Sequence, residues 1–203
     1  MNAMARTRPL LIVISAPSGA GKTTLCDRLL EERSDLAYSV SCTTRPPRGS
    51  EVDGEDYFFL SGREFEEKVK AGAFLEHAIV HGYRYGTLRE TVLTALAGGD
   101  SLLMDIDVQG AAQVRRAVSG ASDGDVLKGA LVDIFIAPPS MEALRERLET
   151  RNEDSPRVIE ERLRNAADEM ARAPEFRYRV VNDDLEHAWR ALREIVVWEA
   201  SHG

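Results

Sequence analysis

Leu10 to Ser15 (LLIVIS) runs straight into a glycine-rich turn, and the turn opens a helical pattern from Lys22 to about Arg33. The apolar run is continuous and rich in β-branched residues, so it predicts a strand buried on both faces, as in a parallel sheet. The turn reads Ala16, Pro17, Ser18, Gly19, Ala20, Gly21, Lys22, Thr23, with Thr24 behind it. Apart from Ala16, which stands where the pattern has glycine, it matches Gly, four residues, Gly-Lys-Ser/Thr between a strand and a helix. Small residues let backbone N–H groups point inward around phosphate oxygens, and the helix N-terminus adds a positive dipole end. Lys22 is placed to reach the β- and γ-phosphates of a nucleotide, and Thr23 to ligate Mg²⁺. Residues 16–24 are therefore expected to bind ATP, with Lys22 catalytic. The loop does not name a second substrate, because many chemistries share it.

The rest of the chain alternates strand and helix. Ser101 to Asp105 (SLLMD), Leu131 to Ile136 (LVDIFI) and Arg179 to Val181 are further strand candidates, each followed by a helical pattern. Ser140 reads as the N-cap of one helix, Ser155-Pro156 as N-cap and first residue of the next, and Asp184 as the cap of the last. The expectation is an α/β fold, a parallel sheet flanked by helices. Residues 39–87 differ: short strand-like pieces, two prolines, many glycines and one helix near Arg63 to Lys70 predict a small, mostly β insertion. Residues 119–129 (SGASDGDVLKG) read as an exposed loop.

Composition narrows the partners. The 203 residues suit one domain with small insertions, and the formal charge of -8 argues against broad binding to nucleic-acid backbones. No apolar run approaches the ~18 residues a membrane span needs, and the N-terminal stretch lacks a signal-peptide core, so a cytoplasmic protein is expected. Cys26 and Cys42 have no metal-ligand spacing and read as reduced residues.

Ser41-Cys42-Thr43-Thr44-Arg45-Pro46-Pro47-Arg48 places two arginines three apart beside prolines that stiffen the segment. Two guanidiniums on a rigid loop suit a phosphate dianion. Taken with SAPSGAGKTT (15–24), SVSCTTRPPRGSEVDGEDYFF (39–59), FLEHAIVHGYRYGT (74–87), MDIDVQG (104–110), IAPPS (136–140), RLETRNEDSPRVIEERL (147–163) and VNDDL (181–185), the chain resembles the guanylate kinase family over nearly its whole length. The resemblance implies transfer of the γ-phosphoryl group of Mg-ATP to GMP, and residue roles to go with it. Arg45, Arg48, Tyr57 and Tyr85 would hold the GMP phosphate. Ser41, Glu76, Thr87 and Asp107 would read the guanine. Asp105, bordering the GMP site, would sit near the Mg-nucleotide. Arg147, Arg151 and Arg162 would close on the ATP phosphates, and Asn182 would lie near the adenine. It also implies a core of residues 1–38 and 88–203, a lid at about 140–170, and a GMP-binding subdomain at 39–87, in a monomer or small homo-oligomer.

The implied base contacts are chemically consistent. Guanine offers N1–H and an exocyclic amino group, which a carboxylate such as Glu76 accepts together, with Asp107 as a further acceptor. Its O6 suits hydroxyl donors such as Ser41 and Thr87. Arg147 and Arg151, four apart, share a helix face, and Asn152, Glu153 and Asp154 read as a mobile connector. Arg84 and Asn152 depart from the family pattern, as does Ala16. His77, His81 and His187 show no catalytic spacing. Two other readings stand beside the first. A ribose bisphosphate kinase on the same scaffold would lack the guanine-reading set. A non-catalytic guanylate kinase-like binding domain would typically lose the P-loop lysine, which is present here as Lys22.

Overall fold

The computed structural model describes residues 8–80, 82–151 (the side chain of Arg151 excepted) and 154–202. Its framework is a five-stranded parallel sheet in the order β2-β7-β1-β8-β9. The strands are β1 (Leu11–Ser15), β2 (Leu36–Tyr38), β7 (Ser101–Asp105), β8 (Leu131–Ala137) and β9 (Tyr178–Val181). The apolar run of β1 is buried at every residue and pairs on both sides, Leu11 with Leu102 of β7 and with Leu131 of β8. Alternate side chains enter opposite cores. Leu10, Ile12 and Ile14 pack with Leu25 and Leu29 of α1 (Lys22–Glu32) and with Trp189, Leu192 and Val196 of α7 (Leu185–His202). Leu11 and Val13 face Val92 and Leu96 of α3 (Arg89–Gly98) and Val114 of α4 (Val108–Ser119). The α/β fold with a parallel sheet read from the sequence is the fold observed.

A second, four-stranded sheet runs β4-β3-β6-β5, from β3 (Ser41–Thr43), β4 (Tyr57–Phe59), β5 (Phe74–Val80) and β6 (Tyr83–Leu88). Its pairings are antiparallel except β3 with β4. Helix α2 (Gly62–Lys70) begins with a reciprocal capping box between Ser61 and Glu64 and carries Phe65 down onto the sheet. Phe65 is fully buried and stacks on Phe74 with ring centroids 4.5 Å apart. With so small a core around it, Phe65 is the main anchor of this unit.

The helical pair α5 (Met141–Arg151) and α6 (Pro156–Ala171) builds a third apolar cluster from Leu144, Leu148, Ile159, Leu163 and Ala166. Ser140 caps α5 by accepting from Ala143 N–H at 3.1 Å, and Asp184 caps α7 by accepting from His187 N–H at 3.0 Å. Ser155 precedes Pro156 at the start of α6 but makes no side-chain cap bond. The stretch at 119–129 is irregular beyond Ser119, the last residue of α4, but not wholly exposed. Leu127 is fully buried and, with Ala130, joins the core around α3 and α4, so one apolar residue ties the loop down. Asn152, Glu153 and His81 lie outside the described residues.

Truncating Phe65 to alanine is expected to destabilise the protein by about 3–5 kcal/mol, the usual loss for a buried phenylalanine. Urea unfolding checks this through the midpoint, and an unchanged midpoint would show that α2 is not what anchors the second sheet.

Candidate active site

The carboxyl ends of β1 and β7 open into a cleft of about 910 Å³ that reaches across to the second sheet. This is the edge where open α/β sheets take ligands. On one wall lie Ala16, Pro17, Ser18, Gly19, Gly21, Lys22, Thr23 and Thr24. Gly19 and Gly21 adopt φ of 92° and 88°, the left-handed region that glycine tolerates. The space at each is also taken: a Cβ on Gly21 would stand 2.3 Å from Asn182 Nδ2, and one on Gly19 3.0 Å from Leu148. No side chain caps α1, whose N-terminal N–H groups face the loop. Ala16 is buried at the end of the strand, and Ala20 is fully buried within the loop.

Lys22 lies in the cleft in an ion pair with Asp105, at the end of β7. Burial pulls the pKa of its ammonium down, with Cys26, Glu169 and Asp107 acting the other way. Thr23 sits one residue on, in the first turn of α1, which suits a hydroxyl ligand to a phosphate-bound divalent cation.

The far wall carries Ser41, Tyr57, Glu76 and Tyr85, with Asp107 at the junction. Glu76 is only 4% exposed. Its Oε1 accepts from the Thr87 hydroxyl at 2.7 Å, and Thr87 is itself buried behind it. Burial pushes the Glu76 carboxyl up to about 7, the Thr87 hydroxyl opposing the shift and Asp107 adding to it. Asp107 caps α4 through Oδ1, accepting from Gly110 N–H at 2.7 Å. Gly110 is small for a reason: a Cβ there would come within 2.7 Å of Glu76 Oε2 and 3.3 Å of Asp107 Oδ1.

Arg45 is buried and forms two hydrogen bonds to Glu51, at 2.9 and 2.7 Å, with its guanidinium 5.2 Å from the Tyr57 ring centre. Tyr85 packs edge-on to Tyr57 at 6.0 Å. Arg48 is exposed, and its backbone N–H donates to Glu51 at 2.7 Å. Glu51, absent from the residues singled out by sequence, therefore holds both ends of the arginine segment. Arg84 pairs with Glu66 instead of entering the cleft.

The helical pair brings cations above the loop. Arg162 lines the cleft and pairs with Asp154 at 3.1 Å. Arg147 donates to the backbone carbonyl of Asn182 at 2.7 Å, and the buried Asn182 side chain donates to Ala20 O at 2.7 Å. Neither Arg147 nor Asn182 lines the cleft; they brace the phosphate loop from behind. Arg151 ends α5, and its side chain is outside the described residues. Sequence reading missed Tyr38, Asn165, Asp168, Glu169 and Arg172, all on the cleft wall. Arg162, Asn165, Glu169 and Arg172 are spaced by three, four and three, a helical face legible in the sequence. Nothing in the sequence marked Tyr38.

Among the described residues no group of three or more His, Cys, Asp or Glu side chains is disposed to hold a metal by itself, and no helix is long and apolar enough to cross a membrane. A family model described as guanylate kinase matches residues 7–199. A guanylate kinase of Polaromonas sp. is 50% identical over 186 residues, covering 92% of this chain and 85% of that protein. One from Mesorhizobium japonicum is 47% identical, covering 96% and 85%. The crystal structure of guanylate kinase from Anaplasma phagocytophilum superposes with a TM-score of 0.74 at 32% identity, over 98% of this chain and 89% of that one.

Two outcomes follow from Glu76 and its neighbour. A carboxyl of ordinary pKa 4.5 in the unfolded chain and about 7 in the native one holds its proton longer when folded. The ligand-free protein therefore loses stability as pH rises from about 4.5 to 7. Glu76→Gln removes this share, so the variant should gain on the wild type by about 1–3 kcal/mol across that window in urea unfolding. A pH-independent difference contradicts the assignment. Gly110→Ala should leave the fold intact yet displace the Glu76 carboxylate, seen as at least a tenfold weaker affinity for the ligand read there; unchanged affinity would show that the site has room to give.

Proposed function

This chain belongs to the guanylate kinase family and is an ATP:GMP phosphotransferase; from that premise we propose which residues carry the reaction and where it takes place. The observation that carries the reading is Glu76, a buried carboxylate across one cleft from a phosphate loop. GMP lies along the second sheet, with N1–H and the amino group donated to Glu76 and a further donor contact to Asp107. Ser41 faces O6. Thr87 acts on the base mainly through Glu76, whose carboxylate its hydroxyl holds. Adenine has no N1–H, so it would leave that carboxylate unpaired in a dry site. Arg45, Arg48, Tyr57 and Tyr85 take the GMP phosphate, with Glu51 holding Arg45 in place before the ligand arrives.

ATP lies along residues 16–24, its adenine toward Asn182. An oxygen of the GMP phosphate attacks the γ-phosphorus in line, the bond to the β–γ bridging oxygen breaks, and ADP leaves. The attacking oxygen is already anionic, so no strong general base is required. Lys22, released from Asp105 to the incoming phosphates, stabilises charge on the transferring group, joined by Arg151 and Arg162, and by Arg147 once it leaves the Asn182 carbonyl, as a lid at about 140–170 closes and excludes water. Thr23, with Asp105 nearby, would hold Mg²⁺, which would supply charge neutralisation for the phosphates. Residues 39–87 form the acceptor-binding unit, and 1–38 with 88–203 the core. The enzyme acts in the cytoplasm on purine nucleotides, with dGMP as a second acceptor, as a monomer or small homo-oligomer that takes neither nucleic acid nor membrane as a partner. Neither a ribose bisphosphate kinase nor a non-catalytic binding domain is favoured, given the guanylate kinase relatives and the retention of Lys22.

Coupled ADP release with Mg-ATP and GMP, AMP, UMP or ribose bisphosphate should give strong turnover with GMP alone, abolished by chelating the metal. Lys22→Met should lower kcat by roughly 10²–10³ while circular dichroism stays unchanged. Wild-type turnover in that variant would remove Lys22 from the mechanism.

A further inference from the structure

Helix α6 turns one face to the cleft, and in its last turn stands a carboxylate, Glu169, that the mechanism above leaves without a task. Glu169 follows Arg162 by seven residues, two turns, and precedes Arg172 by three, so the three share that face. Its neighbours have partners: Arg162 pairs with Asp154, and Arg172 with Glu175 at 2.9 Å. Glu169 has no hydrogen-bond or ion-pair partner among the described residues. It lines the same cleft as Lys22 and Asp107, and burial pushes its carboxyl up to about 7, the Lys22 ammonium opposing the shift and the Asp107 carboxylate adding to it. Its oxygens are not sealed from water, so a ligand entering the cleft can supply the donor that water otherwise gives.

The position narrows which part of a ligand that is. Lys22 marks the end of the cleft where phosphoryl transfer occurs, and Asp107 marks the end that receives the base. A carboxylate cannot face a phosphate without repulsion, and the ring donors of guanine are already matched by Glu76 and Asp107. What joins base to phosphate in a nucleotide is the ribose, whose hydroxyls are neutral donors. The ATP ribose lies on the opposite side of the phosphate loop, toward Asn182. We propose that Glu169 accepts a hydrogen bond from a ribose hydroxyl of the acceptor nucleotide and so ranks GMP above its deoxy forms. The contact also explains why a lid helix that must close on phosphates carries a negative charge on its inner face: closing over the correct sugar relieves it. The inference rests on the placement of GMP proposed above.

The test compares kcat/KM for GMP, 2′-deoxy-GMP and 3′-deoxy-GMP in the intact enzyme, with Glu169→Ala and Glu169→Gln beside it. The wild type should lose about tenfold with at least one deoxy acceptor, the worth of one hydrogen bond to a charged group. Glu169→Ala should erase that difference by lowering the value for GMP alone, and Glu169→Gln, which keeps an acceptor oxygen, should restore part of it. Equal losses for all three acceptors, or an unchanged ranking in both variants, overturn the proposal. Glu76→Gln run in parallel separates the two claims. If it raises KM for GMP while the Glu169 variants keep the wild-type ranking, only the ribose contact fails; if it leaves KM unchanged, the placement of GMP fails first.

Discussion

Leu11 to Ile14 have no face that can meet water, so β1 must lie between two parallel neighbours, and most of the molecule follows from that. Parallel pairing with β7 brings the ends of the two strands side by side. One end continues into the phosphate loop and Lys22, the other into Asp105 and Asp107. The Lys22–Asp105 ion pair is the result. It fixes a cation that phosphate must later attract, and it holds the positive end of the site before any nucleotide is present.

The second sheet works on the opposite principle. Its core is small and depends on Phe65 against Phe74, yet it supports a buried acid. Glu76 has one hydroxyl donor from Thr87 and a glycine, Gly110, cleared away in front of it. Such a group is costly when empty and discriminating when filled, because only a ligand with matching donors relieves it. Stability in the ligand-free state and specificity in the liganded one therefore draw on the same carboxylate, with opposite sign.

Much of this could be read in the chain before folding. The β1 run, the glycine spacing and the helix behind them dictate the loop because each residue type has a local physical reason to be there. Ser140 and Asp184 mark helix starts by the same kind of local rule. The short strands were harder. Leu36–Tyr38 has one buried residue in three, so periodicity has nothing to register, and Tyr83–Leu88 gains its place only by pairing with β5 and β3. Leu127 shows the same limit, an apolar residue in a turn-rich tract whose burial depends on helices far off in sequence. In the site, residue types announced Lys22, Glu76 and Arg45. Glu51 was not announced, and Glu169 only as one position of a helical face, because what they do is set by neighbours: a guanidinium held from behind in one case, a place on the cleft wall in the other. Arg147, expected to close on the ATP phosphates, and Asn182, expected near the adenine, lie behind the loop in the ligand-free protein, a relation only the packing of α5 on Gly19 determines.

The claim that binds these parts is that the buried carboxylate of Glu76 receives the base of the acceptor. Calorimetric titration of GMP into the wild type and Glu76→Gln, with an ATP titration of each, tests it directly. The account predicts that GMP affinity falls by roughly 100-fold, about 3 kcal/mol, while ATP affinity stays the same. GMP binding equally well to both proteins would contradict it, and would move the base away from Glu76.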